Sequence, residues 1–525
     1  MNVIPALRTA YRTYVTEPRK LLPVYFLAIG AQGLVQALAT LAGGTLLAWM
    51  ILRGNFASLA DWLREVGPIP IDDVAGADDP FAPGGDPFAD PGEDPFGDEI
   101  PELSEEQALQ ILGDVFTLDV ILLGAAVALG LFVAGIVVNG LAGAARHHAV
   151  YVRLRSGPGV RGGVEGVFAD WKPYVGLAVL ETVVYATIAG VLVGALLLLV
   201  VPILGILLFL GALALAVPIV LAVRLWFSLA RSALAVEDTG TLGALRYAAG
   251  LVRHEPIDAL GYGVVAAALV LLITGATSVA SLLDAPSLFP LVSLVVVAPV
   301  LDLVKTGIYA YHSDAGRLAP PRLPEAGLGG QFTAGFARGF GDLKRLLVGR
   351  PLLLAGNTAL FVGALYAGWT VAAPLEAMVQ TSIDARVGTL FPPGAFLDYS
   401  ANNWQVSLLM SFGGIVFGIA TLVTLAFNGF VFGVIGRTEA DLSALLEFVA
   451  PHGILEIPAL LFAATLGCHL GLLSIRYVRS TADRGDLADG LTFAYSVSLA
   501  LLVLFVVAGF VEGFISPYYG ALLGL

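Results

Sequence analysis

The chain contains one cysteine and four lysines in 525 residues, and only 13% of its residues are charged. The single cysteine, Cys468, excludes an intrachain disulfide and a cysteine metal cluster. The sequence also lacks a Gly-x-Ser-x-Gly nucleophile elbow, a Gly-x-x-x-x-Gly-Lys phosphate loop and a Cys/His zinc pattern. These absences predict a protein that is not an enzyme and that uses no cofactor and no metal.

Apolar residues, in contrast, are abundant. They make up 58% of the chain, whose mean hydropathy is +0.86. Repeated apolar runs are long enough to cross the hydrocarbon core of a bilayer, which is about 30 Å thick. The first run, from Leu21 to Ile51, is too long for a cleavable signal peptide. We therefore predict an all-α polytopic protein of the cell membrane, in contact with the lipid bilayer and other membrane proteins but not with nucleic acid.

The net charge of −14 comes from one segment. Residues 61–114 contain sixteen acidic residues and one basic residue, whereas the remainder contains 25 acidic and 26 basic residues. The segment repeats Asp-Pro-Phe at Asp79, Asp86 and Asp94, and its composition is typical of a disordered, solvated loop. Binding of a divalent cation or of a partner is the alternative. Such acidity, with 23 arginines against four lysines, resembles the composition of halophile proteins.

A basic amphipathic stretch followed by proline and a long apolar run recurs four times. Such stretches are typical of helices in the headgroup layer, and proline suits the first turn of the helix that follows. Because loops rich in Arg and Lys stay in the cytoplasm, we place these stretches and the N-terminus there. The four stretches end at Pro18, Pro173, Pro256 and Pro351.

This pattern predicts about ten spans in two modules. Residues 1–316 form a six-span module with an acidic outer loop at about 54–114, residues 317–330 form a linker, and residues 331–525 form a four-span module. The eighth span is predicted at Trp404–Phe427 as one helix. The segment Glu447–Ile475 is either a single crossing or a re-entrant segment. The single crossing, which we favour, places the C-terminus in the cytoplasm.

Polar residues inside the last spans are the candidate functional residues. His452 and Glu456 lie about 40° apart around a helix and so share a face. Small residues on that face predict close packing against another helix. These are Ala459, Ala463, Gly467 and Gly471.

Glu512 in the last span and Asn428 at the end of the eighth are predicted at the same inner depth as His452, and Asn403 is added to this polar cluster. A carboxylate inside a membrane usually faces a partner or a cavity. The cluster is interpreted as a hydrogen-bonded contact between helices. An ion or proton pathway is the alternative, and a metal-dependent hydrolase is disfavoured because the spacing is not His-Glu-x-x-His.

Arg224 and Arg231 lie at the inner end of the fourth span. Their side chains are predicted to reach the headgroup layer, either by extending toward it or by recognising a lipid headgroup.

The second half of the chain contains several ordered motifs, namely Pro451–Ala459, Asn402-Asn403, Phe412–Gly418, Asn428-Gly429 and Phe510–Phe514. Together they resemble the Stage II sporulation protein M family of integral membrane proteins, over about residues 335–525. The resemblance implies a membrane fold, and in sporulating bacteria it implies membership of a complex that works with wall-remodelling partners.

A second run of residues lies in the first 315 positions: Arg231–Gly240, followed by Ala244–Arg246 and Leu251–Arg253. Through this run the first 315 residues more weakly resemble the membrane domains attached to some glycerophosphodiester phosphodiesterases. The catalytic barrel of those enzymes is absent from this sequence.

Taken together, the residues and the resemblance favour a non-catalytic membrane scaffold or assembly subunit of a cell-envelope complex. The alternative is a transporter or ion-conducting protein that uses the His/Glu/Asn cluster. The sequence leaves the partners, any small-molecule ligand and the oligomeric state open.

Overall fold

A computed structural model describes residues 3–66, 69–70, 104–200, 202–313, 316, 318–323, 328–376, 378–388 and 390–520. Most of the predicted acidic loop and part of the linker lie outside these residues. The described chain is almost entirely helical, as predicted. Its strands, β1 (Ile69–Pro70) and β2 (Val379–Gln380), form a two-residue parallel pair.

Most of the described helices follow one another with short connections. One of them contains a π-helical turn at Ser293–Val297. In chain order they are α1 (Val3–Val15), α2 (Leu22–Arg53), α3 (Ala57–Val66), α4 (Glu105–Val115), α5 (Leu118–Leu154), α6 (Gly159–Leu197), α7 (Pro202–Val236), α8 (Thr241–His254), α9 (Pro256–Ser281), α10 (Leu288–His312), α11 (Leu328–Gly349), α12 (Pro351–Val371), α13 (Ile383–Gly388), α14 (Pro392–Gly413), α15 (Ile419–Thr438), α16 (Leu442–Val478) and α17 (Arg484–Phe514).

Ten of the described helices are long and apolar enough to cross a membrane. They are α2, α5, α6, α7, α9, α10, α12, α15, α16 and α17. Their outward faces carry many exposed large apolar side chains, which a bilayer would cover. The chain is therefore a multi-pass membrane protein.

The prolines after the basic stretches begin helices or bend them. Pro256 and Pro351 are the first residues of α9 and α12, directly after the amphipathic helices α8 and α11. Pro173 lies inside α6, which kinks at Asp170 (φ −123°, ψ 16°). Proline has no backbone N–H to donate, so it fits a first turn and disturbs an interior.

The predicted eighth span is not one helix, which corrects the sequence-based assignment. Helix α14 ends at Gly413 and α15 begins at Ile419, and the turn between them contains Phe417 (φ 55°) and Gly418 (φ 78°). A positive φ cannot continue a right-handed helix. The turn packs on α16, where a Cβ on Gly414 would collide with the Gly467 carbonyl.

This turn reverses the direction of the chain. Along α15, Gly429, Gly433 and Gly436 face Phe361, Leu365 and Trp369 of α12 in the same order, so the two helices are parallel. Helix α14 is antiparallel to α17, since its start contacts Gly513 and its Trp404 Nε1 donates to the Ser498 carbonyl at 3.1 Å. Helix α14 is thus an additional, less apolar helix inside the bundle.

The bundle has two distinct ends. At the basic end, a cleft is lined by Lys20, Arg161 and Gly485, and the Arg484 guanidinium lies 4.7 Å from the Phe168 ring centroid. At the loop end, the connections after α9, α12 and α15 meet. There the Ser287 N–H donates to Asp398 at 2.7 Å, and the Thr381 N–H donates to the Thr438 carbonyl at 2.9 Å.

Helix α16 is continuous over 37 residues, about 54 Å, so the predicted single crossing agrees with the structure and a re-entrant segment does not. It runs from the loop end to the basic end, and α17 returns. The described chain therefore finishes at the loop end, opposite the basic stretches. The sequence-based prediction had put the C-terminus on the same side as those stretches.

The first span connects the two predicted modules. The ring of Phe26 on α2 packs edge-on against Trp404 and Phe412 of α14, at centroid distances of 5.7 and 5.5 Å. Gly30 on α2 directly contacts Gly413. Helix α2 thus forms part of the core of the second module while it also packs against α5.

Candidate intramembrane site

Two helices bring a histidine and two carboxylates together near the loop end. Helix α16 supplies His452 and, one turn later, Glu456, and α17 supplies Glu512. The Nε2 atom of His452 lies 4.0 Å from a Glu456 oxygen and 3.9 Å from a Glu512 oxygen. One donor atom from each residue lies within 4.8 Å of the other two. We call these three residues the His/Glu cluster.

The other nitrogen of His452 is held by a serine. Nδ1 lies 2.9 Å from the hydroxyl of Ser516, which follows α17 in a short 3₁₀ turn. The Phe448 ring, one turn earlier on α16, packs edge-on against the imidazole at 5.4 Å. These contacts fix the ring so that Nε2 points between the two carboxylates.

The His/Glu cluster is almost fully enclosed. The side chains of His452, Glu456 and Glu512 are 6%, 12% and 13% exposed. One oxygen of Glu512 is buried without a hydrogen-bond partner. Two carboxylates in a medium of low polarity repel each other, so this arrangement calls for a proton or a cation between them.

The cluster lies at the loop end, which differs from the inner depth predicted from sequence. About 42 Å of helix separates Glu512 from Arg484 at the basic end. The missed turn at 414–418 explains the difference, because one additional reversal exchanges the two ends of α16 and α17.

The two asparagines lie elsewhere. The side-chain amide of Asn428 donates to the Thr424 carbonyl of its own helix at 2.8 Å. Asn403 neighbours Trp404, which contacts Ser498, a position about 21 Å along α17 from Glu512. The structure therefore does not bring Asn428 or Asn403 to the His/Glu cluster.

The predicted row of small residues on α16 is buried against α14, α15 and the turn between them. Ala459 and Ala463 are fully buried, and the Ala463 carbonyl accepts a hydrogen bond from Ser411 at 3.3 Å. A Cβ on Gly467 would collide with Thr421 and the Met410 carbonyl, and one on Gly471 would press against the backbone of Gly418. Close backbone contact of this kind is how helices associate in lipid.

Helix α16 starts at a fixed residue, which sets the position of His452. Asp441 accepts hydrogen bonds from the Ser443 hydroxyl at 2.6 Å and from the N–H groups of Ser443 and Ala444 at 2.9 and 3.1 Å. The hydrogen bond from the Ser443 hydroxyl, followed by those from the backbone, holds the pKa of the Asp441 carboxyl below its usual range. Asp441 is thus the N-cap of α16.

The loop end carries an ordered surface built on Glu439. Its side chain, 1% exposed, accepts hydrogen bonds from the Thr381 hydroxyl at 3.0 Å, the Ile383 N–H at 2.8 Å and Arg386 at 3.2 Å. Strand β2 in this surface pairs with β1, which lies within the acidic segment 61–114. We call residues 378–388 and 437–441 the platform.

Both predicted lipid-facing arginines bind a carboxylate that the sequence reasoning missed. Glu181 on α6 is buried, and its two oxygens contact Arg224, at 3.2 Å, and Arg231. The Arg231 side chain is only 14% exposed, whereas that of Arg224 is 65% exposed. Arg224 alone remains accessible to a headgroup. The sequence did contain a signal for this ion pair, namely a single Glu inside an apolar span, because a buried carboxylate needs a partner.

A second buried charge network was also missed. The Lys305 ammonium lies 2.6 Å from Asp302 on α10, and the Tyr25 hydroxyl donates to the same carboxylate at 2.9 Å. His147 on α5 lies 3.7 Å from it. The network joins α2, α5 and α10, and the Asp-x-x-Lys spacing inside an apolar span could have revealed it.

Comparison with known proteins places the His/Glu cluster within a family. The profile of the family described as Stage II sporulation protein M matches residues 357–517, which run from α12 to the turn after α17 and include Ser516. The predicted extent of about 335–525 is similar. The resemblance of residues 1–315 to membrane domains of glycerophosphodiester phosphodiesterases stays a prediction.

Two uncharacterized proteins of Methanocaldococcus jannaschii are similar to part of the chain. One is 33% identical over 120 residues, which are 22% of this chain and 67% of the relative. The other is 28% identical over 116 residues, 22% of this chain and 53% of the relative. The chain thus spans between half and two thirds of the length of these relatives. No solved structure matches the chain. The protein belongs to the Stage II sporulation protein M family through its residues 357–517.

Proposed function

We propose that the protein is a non-catalytic membrane scaffold, an assembly subunit of a cell-envelope complex. The observation that carries this proposal is the packing next to the His/Glu cluster. Between Glu456 and Gly471 the buried face of α16 consists mainly of small and apolar residues in contact with α14 and α15. His469, on the same stretch, packs against the Phe493 ring at 5.8 Å. Close packing of this kind favours a rigid bundle over a conduction path.

The platform is the proposed partner surface. Its backbone and side chains are tied together by the buried Glu439, so it is pre-organised for binding. The positive-inside rule supports a cytoplasmic basic end, which would put the platform on the outer side of the membrane. There it could contact proteins of the cell envelope.

Site-specific photo-cross-linking in membranes of the native host tests the proposal. A photoreactive residue replaces Asp384, an exposed platform position, or Gly485 at the basic end as the matched position. We expect discrete protein adducts from position 384. Glu439→Ala should abolish them while the protein level in the membrane is unchanged. Equal adducts at both positions, or none at position 384, would contradict a scaffold that binds through the platform.

An ion-conducting protein is the second candidate. The observation in its favour is the buried Glu512 oxygen without a hydrogen-bond partner, which suits a transient cation. This candidate predicts a proton or cation flux in proteoliposomes that Glu512→Gln abolishes. The scaffold proposal predicts no flux above that of empty liposomes.

A further inference from the structure

The His/Glu cluster has the composition of a metal site. It offers one imidazole nitrogen and two carboxylate oxygens, from two helices that are separate in sequence. Nitrogen and carboxylate donors in this mixture suit first-row divalent ions such as Zn²⁺ and Mn²⁺. Helix α16 carries no His-Glu-x-x-His spacing, for which reason a metal-dependent hydrolase was disfavoured. The third ligand comes instead from Glu512 on the last helix, a residue that was already predicted in the polar cluster.

The distances fit an ion better than they fit direct hydrogen bonds. At 4.0 and 3.9 Å, the contacts from Nε2 to the two carboxylates are too long for N–H···O bonds. Zn²⁺ lies about 2.0–2.2 Å from nitrogen and oxygen ligands, so tetrahedral ligands are about 3.4 Å apart. A movement of roughly 0.5 Å by each carboxylate, within the freedom of a side chain, would complete that geometry.

The hydrogen bond between His452 Nδ1 and the Ser516 hydroxyl, in which Nδ1–H donates when Nε2 binds an ion, is a second, independent observation. In metal sites the nitrogen of histidine that does not bind the ion usually contacts a hydrogen-bond partner that orients the ring. Ser516 holds Nδ1 at 2.9 Å and leaves Nε2, on a residue that is only 5% exposed, aimed between the carboxylates.

Charge also points to a cation. Among the described residues, the ion-pair partner of Glu456 and of Glu512 is His452, so two carboxylates share one imidazole. The buried Glu512 oxygen adds an unsatisfied acceptor at the same place. A divalent ion would balance the two negative charges and satisfy that oxygen.

We propose that Nε2 of His452 and the carboxylates of Glu456 and Glu512 bind one divalent transition-metal ion, Zn²⁺ or Mn²⁺, that bridges α16 and α17 at the loop end. Ser516 is a positioning residue that orients the imidazole. The ion clamps the two final helices together and leaves a coordination position for water. This site is independent of whether the platform binds partners.

Metal binding by the full-length protein in detergent tests the proposal. The protein is stripped with EDTA and titrated with Co²⁺, whose visible absorption reports ligand geometry. We expect saturation at one equivalent. Glu456→Gln and Glu512→Gln should each weaken binding at least 100-fold. Ser516→Ala, which removes no ligand, should weaken it 10–100-fold. His469→Gln, on the same helix but outside the cluster, is the matched control and should bind as the wild type does.

A measurement on the wild type keeps the test decisive if a variant fails to fold. Pulsed electron paramagnetic resonance of bound Mn²⁺ should show coupling to one imidazole nitrogen. Absence of stoichiometric Co²⁺ binding to the wild type would overturn the proposal. Equal affinity of wild type and Glu456→Gln would do the same, because the ion would then bind elsewhere. Loss of platform cross-links with metal binding intact would instead count against the proposed function alone.

Discussion

Gly467 offers a quantitative test of how α16 packs. A methyl group at this position would meet Thr421 and the Met410 carbonyl, between which a hydrogen bond of 2.7 Å is formed. Overpacking costs about 1–3 kcal/mol, and loss of that hydrogen bond adds about 1 kcal/mol. The greater helix propensity of alanine offsets at most about 1 kcal/mol of this destabilisation. We therefore expect Gly467→Ala to lower the free energy of unfolding by about 1–3 kcal/mol.

The chain provides both a probe and a control for this measurement. Cys468, the one cysteine, is half-buried, so its reaction with a maleimide dye during heating reports opening of the bundle. Gly363 on α12 has open space around its Cβ position, so Gly363→Ala should be neutral or slightly stabilising. If Gly467→Ala unfolds at the same temperature as Gly363→Ala, the close contact of α16 with α14 and α15 is refuted.

Three further predictions follow from the described contacts. In a background without the native cysteine, single cysteines that replace Ala440 and Gly485 should be labelled by an impermeant maleimide from opposite sides of the membrane. Labelling of both positions from the same side would refute the chain reversal at 414–418. Lys305→Met should destabilise the protein by up to about 3–5 kcal/mol, because the buried Asp302 loses its nearest cation and keeps only the more distant Arg146, at 4.0 Å. Adding Asp302→Leu should restore part of the loss in thermal unfolding. Hydrogen bonds from the Ser443 hydroxyl and from the N–H groups in the first turn of α16 lower the pKa of Asp441 in the folded state. The contribution of Asp441 to stability is therefore present above pH about 4 and is lost as the pH falls through the folded pKa. Between pH 5 and pH 3 the wild type should lose more thermal stability than Asp441→Asn, and equal losses would contradict the role of Asp441 as N-cap.

Local features of this protein were predictable from sequence because they depend on short-range rules. The starts of α9 and α12 follow from Pro256 and Pro351, whose rings suit a first helical turn. The shared face of His452 and Glu456 follows from helical periodicity alone. The same periodicity identified the small residues on α16 that the structure buries.

The break between α14 and α15 was not predictable in this way. Residues 404–427 read as one apolar run without proline, and the turn contains Gly414 and Gly418 among large apolar residues. Glycine is common in membrane helices, so neither residue marks a turn by itself. The reversal depends on the fit of the turn against Gly467 and Gly471, which are more than 50 positions away in the sequence.

One missed reversal changed the predicted position of every later residue. It moved the His/Glu cluster from the basic end to the loop end and placed the end of α17 with it. The partner of His452 was missed for a related reason. Ser516 follows the last helix in a short turn, and its approach to α16 depends on how α16 and α17 pair.

Buried ion pairs were the other features that sequence reasoning did not find. Glu181 lies 50 residues from Arg231, and Tyr25 lies 277 residues from Asp302. Each lone charge in an apolar span indicated that a partner existed. Its identity depended on which helices are neighbours, and that is a property of the whole bundle.

The most direct test of the proposed function is the photo-cross-linking yield from position 384 on the platform, measured in native membranes with and without Glu439→Ala. The scaffold account predicts discrete adducts with other envelope proteins from the otherwise unmodified protein and their loss in the variant. Adducts that persist unchanged when Glu439 is replaced, or a platform that yields none, would contradict it.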